Sequence, residues 1–332
     1  MKIIFFSAKP YDRSFFNKHN GQFGFELEFF DTHLGPHIVH AITAADAVCV
    51  FVNDKVNAEV IRVLAEKGIK VIALRCAGFN NVDLEAAQRY GLKVCRVPAY
   101  SPEAVAEHAL AMILTLNRKT HKAYNRVREQ NFSLNGLLGF NLHGKTVGVI
   151  GTGNIGKAFC RIMTGVGCRV LGHDLTEDQE LKDTGVVYKP REEVLRQSDI
   201  ISLHCPLTEE THNLINRDTI VQMKKGVMLI NTSRGKLIHT ADAIEALKTG
   251  QIGYLGIDVY EQEEKLFFKD LSESIIDDDT IQRLMSFPNV LVTAHQAFFT
   301  AEALNEIALT TFENIRQLLS GRDVSHKGAL LC

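Results

Sequence analysis

The stretch TVGVIGTGNIGKAF, residues 146–159, constrains the fold of this chain most strongly. It reads as a short apolar strand, a glycine-rich turn and the start of a helix, which is how a parallel α/β unit opens. Yet it begins almost halfway along a chain of 332 residues, and a series of strand and helix signals precedes it. Single hydrophobic cores stop growing at roughly 250 to 300 residues. Two sheets and two cores are therefore expected.

The first series carries the β-branched and aromatic runs KIIFFS, FELEFFD, AVCVFVN, KVIALRC and KVCRVP. Helical stretches separate them, so they predict a parallel sheet of about five strands. NAEVIRVLAEKG has apolar residues at helical spacing and closes on Gly68; LEAAQRYG closes in the same way on Gly91. From Ser101 the pattern predicts one long helix through SPEAVAEHALAMILTLNRKTHKAYNRV, with Pro102 and Glu103 in its first turn. Its apolar middle points to burial between domains or subunits. The second series supplies TVGVI, CRVLGHD, DIISLHCP, GVMLINTS, YLGIDVY and NVLVTAH, and a final helical pattern, AEALNEIALTTFENIRQLLSG, follows it. Such a tail can pack back onto the first sheet and make that domain discontinuous.

Composition narrows the partners. Hydrophobic residues make up 45% and charged residues 23%, with a formal net charge of -2, so no footprint for nucleic acid or an anionic membrane is present. A small-molecule substrate is expected instead. The apolar run near the N-terminus is shorter than the 7–15-residue apolar core of a signal peptide. Seven cysteines form no C-x-x-C pair and no metal-ligand cluster, which suits reduced thiols in the cytoplasm and predicts no bound metal.

Within the glycine turn, Gly151, Gly153 and Gly156 have the G-x-G-x-x-G spacing. The first glycine permits a tight turn, the second lets the backbone approach a pyrophosphate, and the third allows the helix to pack closely on the strand. The helix N-terminus then offers free N–H groups to phosphate. Asp174 ends the next strand, about twenty residues on, where an acid accepts hydrogen bonds from the adenine ribose. A carboxylate there repels a 2′-phosphate, so the predicted cofactor is NAD(H) rather than its phosphorylated form.

Three polar residues stand at or just after later strands of the same series: Arg234 in INTSRGKL, Glu263 in DVYEQEE and His295 in VLVTAHQAFF. Open α/β sheets bind their ligands at that end of the strands. An arginine can fork onto a carboxylate, and a histidine can exchange a proton near neutral pH. Together they suit hydride transfer to a 2-oxo acid.

On the segments LRCAGFNNVDL, VPAYSPEAVAEHAL, GVIGTGNIG, SLHCPLT, INTSRGKLI, GIDVYE and HQAFFTAEAL, the chain resembles the D-isomer-specific 2-hydroxyacid dehydrogenases over nearly its whole length. It is most similar to their fermentative D-lactate dehydrogenase branch. The resemblance implies an α/β fold of two Rossmann/flavodoxin-like parallel-sheet domains, with the NAD domain (101–298) inserted into a discontinuous substrate domain (1–100 plus 299–332). It further implies that Arg234 binds and polarises the substrate, that His295 is the acid/base, and that Glu263 orients His295. Ala77 and Gly78 match the loop whose N–H groups receive the substrate carboxylate; Arg75 braces that loop. Tyr100 and Phe298 match residues that line the substrate pocket. For the cofactor, Asn154 and Ile155 match the loop over the pyrophosphate, and Cys205, Pro206, Thr232, Ser233 and Asp258 match positions around the rest of the dinucleotide. Thr211 stands where many relatives carry asparagine and offers a hydroxyl in its place. The expected reaction is NADH-dependent, reversible reduction of pyruvate to D-lactate by a homodimer or homotetramer. Another 2-hydroxyacid dehydrogenase or an NAD-sensing binding protein would share these features.

Overall fold

The computed structural model describes residues 1–332, apart from the side chain of Lys265. The chain forms two compact units, one of Met1–Ser101 with Phe299–Cys332 and the other of Pro102–Phe298. The first unit opens with β1 (Lys2–Phe5), α1 (Pro10–Asn20), β2 (Glu26–Phe29), β3 (Ala47–Val50), α2 (Ala58–Glu66), β4 (Val71–Leu74), α3 (Leu84–Arg89) and β5 (Lys93–Arg96). The second contains α4 (Pro102–Arg118), α5 (Thr120–Arg128), β6 (Thr146–Ile150), α6 (Asn154–Gly165), β7 (Arg169–His173), α7 (Gln179–Asp183), β8 (Val187–Tyr188) and α8 (Arg191–Gln197). It continues through β9 (Ile200–Leu203), α9 (Arg217–Ile220), β10 (Val227–Asn231), α10 (Thr240–Thr249), β11 (Ile252–Ile257), α11 (Asp279–Ser286) and β12 (Val290–Val292). The last helix, α12 (Ala301–Leu319), belongs to the first unit.

In the first unit the five strands run parallel in the order β2-β1-β3-β4-β5. Helix α12 packs on α1 and across β4 and β5. Its Phe312 ring lies 5.2 Å from Phe16, which in turn lies 4.6 Å from Phe5 of β1, so aromatic packing ties the last helix to the first strand. The local signals act as expected. Asn57 Oδ1 accepts the Val60 N–H at 3.1 Å to start α2, and Gly68, at φ +81°, follows its end.

The second unit holds a seven-stranded parallel sheet in the order β12-β11-β10-β9-β6-β7-β8. Alternate residues of β10 enter opposite cores: Val227 and Leu229 on one face, Met228 and Ile230 on the other. Both faces are thus covered, and the strand is continuously apolar. The order reverses between β6 and β9, which makes that crevice the place where a doubly wound sheet binds its ligand.

Two expectations change. The long helix from residue 101 is broken into α4 and α5 at Lys119, whose φ is +51°. Tertiary bonds explain the break: Asn117 pairs with the Phe140 backbone at 2.7 and 2.8 Å, while Lys119 Nζ donates to the carbonyls of Gly136 and Leu138. The apolar face of α4, with Ala109, Met112, Ile113 and Leu116, is buried within the second unit itself, against α6 and the strands β10 and β11.

Candidate active site

The glycine turn joins β6 to α6. Gly151 has φ +92°, and a Cβ there would sit 2.5 Å from the Cys205 nitrogen. Gly156 is buried, and a Cβ on it would lie 1.9 Å from the Gly151 oxygen. Gly153 is different: it is exposed, and a Cβ would meet nothing within 4 Å. It is also the N-cap of α6, and no side chain caps that helix. The N–H groups of Asn154 and Ile155 therefore begin a helix whose positive end is open.

Asp174 follows β7. Its Oδ2 accepts the Thr152 N–H at 2.5 Å and its Oδ1 the Leu175 N–H at 2.7 Å, so the acid is fixed against the glycine turn. The Thr152 hydroxyl meets the Tyr188 hydroxyl at 2.9 Å. Thr152 and Tyr188 were not among the expected residues, and neither has a motif of its own.

After β9, Cys205 is buried, with its thiol pushed up to about 11, chiefly by burial. Its carbonyl accepts the Ser233 hydroxyl at 2.7 Å, which connects the ends of β9 and β10. The Thr211 hydroxyl donates to the Pro206 carbonyl at 2.7 Å and accepts the Thr208 N–H at 2.7 Å. That hydroxyl closes its own turn. Thr232 is buried, and its Oγ1 has no hydrogen-bond partner among the described residues.

Arg234 is half-buried. Its Nη1 donates to the Ser233 carbonyl at 2.7 Å, and no carboxylate forms an ion pair with it among the described residues. Most of its donors are uncommitted. Glu263 and His295 do meet: His295 Nδ1 lies 2.9 Å from Glu263 Oε1, and each side chain is 23% exposed. The other oxygen, Oε2, accepts the Tyr260 N–H at 2.9 Å, which aims the carboxylate. A histidine bonded through Nδ1 to a carboxylate keeps Nε2 for other partners.

Asp258, at the end of β11, is fully buried and gathers the segment that carries His295. Its carbonyl accepts the His295 N–H at 2.7 Å; its carboxylate accepts the Gln296 and Ala297 N–H groups, each at 2.9 Å, and the Thr293 hydroxyl at 2.5 Å. Burial, the largest influence, opposes ionisation, but the hydrogen bonds from His108, Thr293, Ala297 and Gln296 outweigh it and hold the carboxyl below its usual range. Phe298, next in the chain, is buried.

In the first unit, Ala77 and Gly78 follow β4, and among the described residues neither N–H has an acceptor. Arg75 just before them is 2% exposed; its Nε donates to Asp12 Oδ1 at 3.2 Å and its Nη2 to the Ser7 carbonyl at 2.9 Å. Those bonds brace the loop from beneath. Ser7 itself, at φ +54°, bonds buried Asp54 Oδ1 at 2.7 Å and exposed His33 Nδ1 at 2.6 Å, a cluster that the sequence did not announce. Tyr100 is half-buried at the end of this segment.

The family profile described as D-isomer specific 2-hydroxyacid dehydrogenase, NAD binding domain, matches residues 110–297. D-lactate dehydrogenase of Escherichia coli K12 is 53% identical over 321 residues, covering 97% of this chain and 98% of that protein. The chain belongs to the D-isomer-specific 2-hydroxyacid dehydrogenase family. Among solved structures, apo D-lactate dehydrogenase from Escherichia coli matches with a TM-score of 0.92 at 50% identity and 100% of both chains. A pyruvate reductase of Chlamydomonas reinhardtii gives 0.93 at 45% identity and 98% of both chains.

This 2-hydroxyacid dehydrogenase is NAD-dependent, and its residues fit that cofactor. The open end of α6 and the unobstructed Gly153 suit a pyrophosphate, and Asp174 suits a ribose diol. The buried Thr232 hydroxyl without a partner leaves a polar group for a ligand to satisfy.

Proposed function

We propose that this dehydrogenase is a D-lactate dehydrogenase that reduces pyruvate to D-lactate, with 1–100 plus 299–332 as its substrate domain and 101–298 as its NAD domain. The carrying observation is the His295–Glu263 pair at 2.9 Å, at the strand ends of the same unit as an arginine with no carboxylate partner. The names of relatives at about half identity over nearly the full length support the choice of substrate.

Bound NADH supplies the hydride. Arg234 takes the substrate carboxylate or carbonyl in a charge-assisted fork and polarises it. The free N–H groups of Ala77 and Gly78 receive the carboxylate, and Tyr100 and Phe298 wall the pocket. His295, protonated, donates from Nε2 to the developing alkoxide while Glu263 stabilises the imidazolium through Nδ1. In lactate oxidation His295 Nε2 takes that proton back. On the cofactor side Gly151 and Gly156 shape the turn on which Gly153, Asn154 and Ile155 hold the pyrophosphate, and Asp174 holds the ribose, while Cys205, Pro206, Thr211, Thr232, Ser233 and Asp258 surround the remainder. Assembly as a homodimer or homotetramer in the cytoplasm belongs to the same reading. Exposed Phe132, Leu134 and Leu138 support the assembly.

The test is initial-rate NADH oxidation with pyruvate, 2-oxobutyrate, 2-oxoisocaproate and 3-phosphohydroxypyruvate, followed by chiral analysis of the product. Pyruvate should lead and give D-lactate. His295→Ala should lower kcat by roughly 10²–10⁴-fold. A bulkier acid in the lead would replace the substrate, and near-normal turnover of the variant would remove His295 from the mechanism.

A further inference from the structure

Arg96, the last residue of β5, has no role in the reading above, yet its guanidinium touches two distant parts of the first unit. Nη1 donates to the Ala77 carbonyl at 2.7 Å, and Nε donates to the Gly328 carbonyl at 2.9 Å. The cation also lies over the Phe79 ring, 5.0 Å from its centroid. One planar fork therefore joins the loop after β4 to the C-terminal tail.

That tail is itself seated on β5. Arg96 N–H donates to the Ala329 carbonyl at 2.8 Å, Leu331 N–H to Val94 at 2.8 Å and Val94 N–H to Cys332 at 3.1 Å, with an antiparallel bridge between Cys95 and Leu330. Ala329 is fully buried. From α12, Asn314 Nδ2 holds the Arg96 carbonyl at 3.0 Å. The arginine is thus anchored on three sides before it reaches the loop.

Peptide geometry turns this anchor into an orientation. The bond between Ala77 and Gly78 is trans, so its carbonyl and its N–H point in opposite directions. Holding the Ala77 oxygen on Arg96 aims the Gly78 N–H away from the arginine, and that N–H has no acceptor among the described residues. We propose that Arg96 is a positioning residue for the substrate carboxylate, fixing the Ala77–Gly78 peptide against the C-terminal tail so that its N–H is presented to the ligand. This rests on the reading that Ala77 and Gly78 receive that carboxylate.

The experiment measures KM and kcat for pyruvate, the inhibition constant of the isosteric carboxylate oxamate, the Kd of NADH and the Tm, in Arg96→Met, Arg96→Lys and Gly78→Pro. Met keeps the stem over Phe79 and removes the fork. Arg96→Met should raise KM and the oxamate constant together by about tenfold, with kcat and NADH affinity retained. Arg96→Lys, with one point donor in place of the fork, should fall between and remains informative should the Met variant fold poorly. Gly78→Pro, which deletes the N–H itself, should raise KM at least as much. A raised KM in Gly78→Pro with wild-type KM in both arginine variants would overturn the role of Arg96 alone. Wild-type KM in all three would overturn the carboxylate assignment beneath it. Equal losses in kcat, NADH affinity and Tm would make Arg96 a structural residue only, which also overturns the proposal.

Discussion

Two glycines of one turn should fail in opposite ways when each receives a single methyl group. In Gly156→Ala the new Cβ would lie 1.9 Å from the Gly151 oxygen and 2.9 Å from its carbon. Both are backbone atoms of the turn, so no flexible side chain can yield, and α6 must shift by about 1 Å. Overpacking of this kind costs about 1–3 kcal/mol, which for a unit of this size lowers Tm by roughly 2–12 °C. In Gly153→Ala the methyl meets nothing within 4 Å, and φ is an ordinary -62°, so the fold should lose only the roughly 0.5 kcal/mol by which alanine is the poorer N-cap. The same methyl, however, stands at the open end of α6, the proposed pyrophosphate site. A loss of about 1.4 kcal/mol there weakens NADH binding about tenfold. Thermal unfolding and NADH fluorescence titration separate the two effects: Gly156→Ala should lose Tm first, and Gly153→Ala should lose affinity with a much smaller change in Tm. Gly153→Ala binding NADH as tightly as the wild type would refute the placement of the pyrophosphate.

Asp258→Asn removes an acceptor that two N–H groups and a hydroxyl share, and should destabilise the second unit by about 2–4 kcal/mol with a parallel fall in kcat. Because the native carboxyl is held below its usual range, its stabilisation is present above the unfolded value of about 3.9 and is lost as pH falls through the folded one, so the variant should unfold with a shallower acid limb. His204 keeps a partly exposed edge, but its Nδ1 is buried without a partner among the described residues and its ring packs 4.9 Å from Phe159; burial pushes its pKa down to about 3. Its depressed value gives stability that is full above about pH 6.5 and falls by up to about 2 kcal/mol by pH 5, which urea midpoints in wild type and His204→Gln should reveal as a difference in slope. Asp174→Ser should narrow the preference for NADH over NADPH, read as the ratio of kcat/KM values, and an unchanged ratio would remove Asp174 from cofactor selection.

The parallel sheets were legible because buried strands are short, continuous apolar runs bounded by turn residues, and β1, β3, β4, β6 and β10 are of that kind. Strand β8 was not, since Val187–Tyr188 is too short to carry any pattern. The break between α4 and α5 was also invisible. No glycine or proline marks Lys119; its left-handed backbone is held by bonds to residues 17 and 19 positions away. Local propensity favours continuing the helix there, and tertiary bonding decides otherwise.

The site divides along the same line. The glycine turn and Asp174 are local to one strand–turn–helix unit and its next strand, so spacing alone finds them. Glu263 and His295 are 32 residues apart, and only the resemblance paired them in advance. Their geometry shows why the intervening chemistry is hard to see. His295 has φ +53°, a left-handed backbone that is unfavourable for a side chain of its size and persists only where its surroundings over-determine it. Four bonds do so: the His295 N–H to the Asp258 carbonyl, the next two N–H groups to the Asp258 carboxylate, and the ring to Glu263. Asp258 and Glu263 both belong to the stretch DVYEQEE after β11. By composition that stretch is an acidic surface loop. In the fold its first acid fixes the backbone of the histidine and its last-but-one fixes the ring, so two carboxylates five positions apart set one side chain in place.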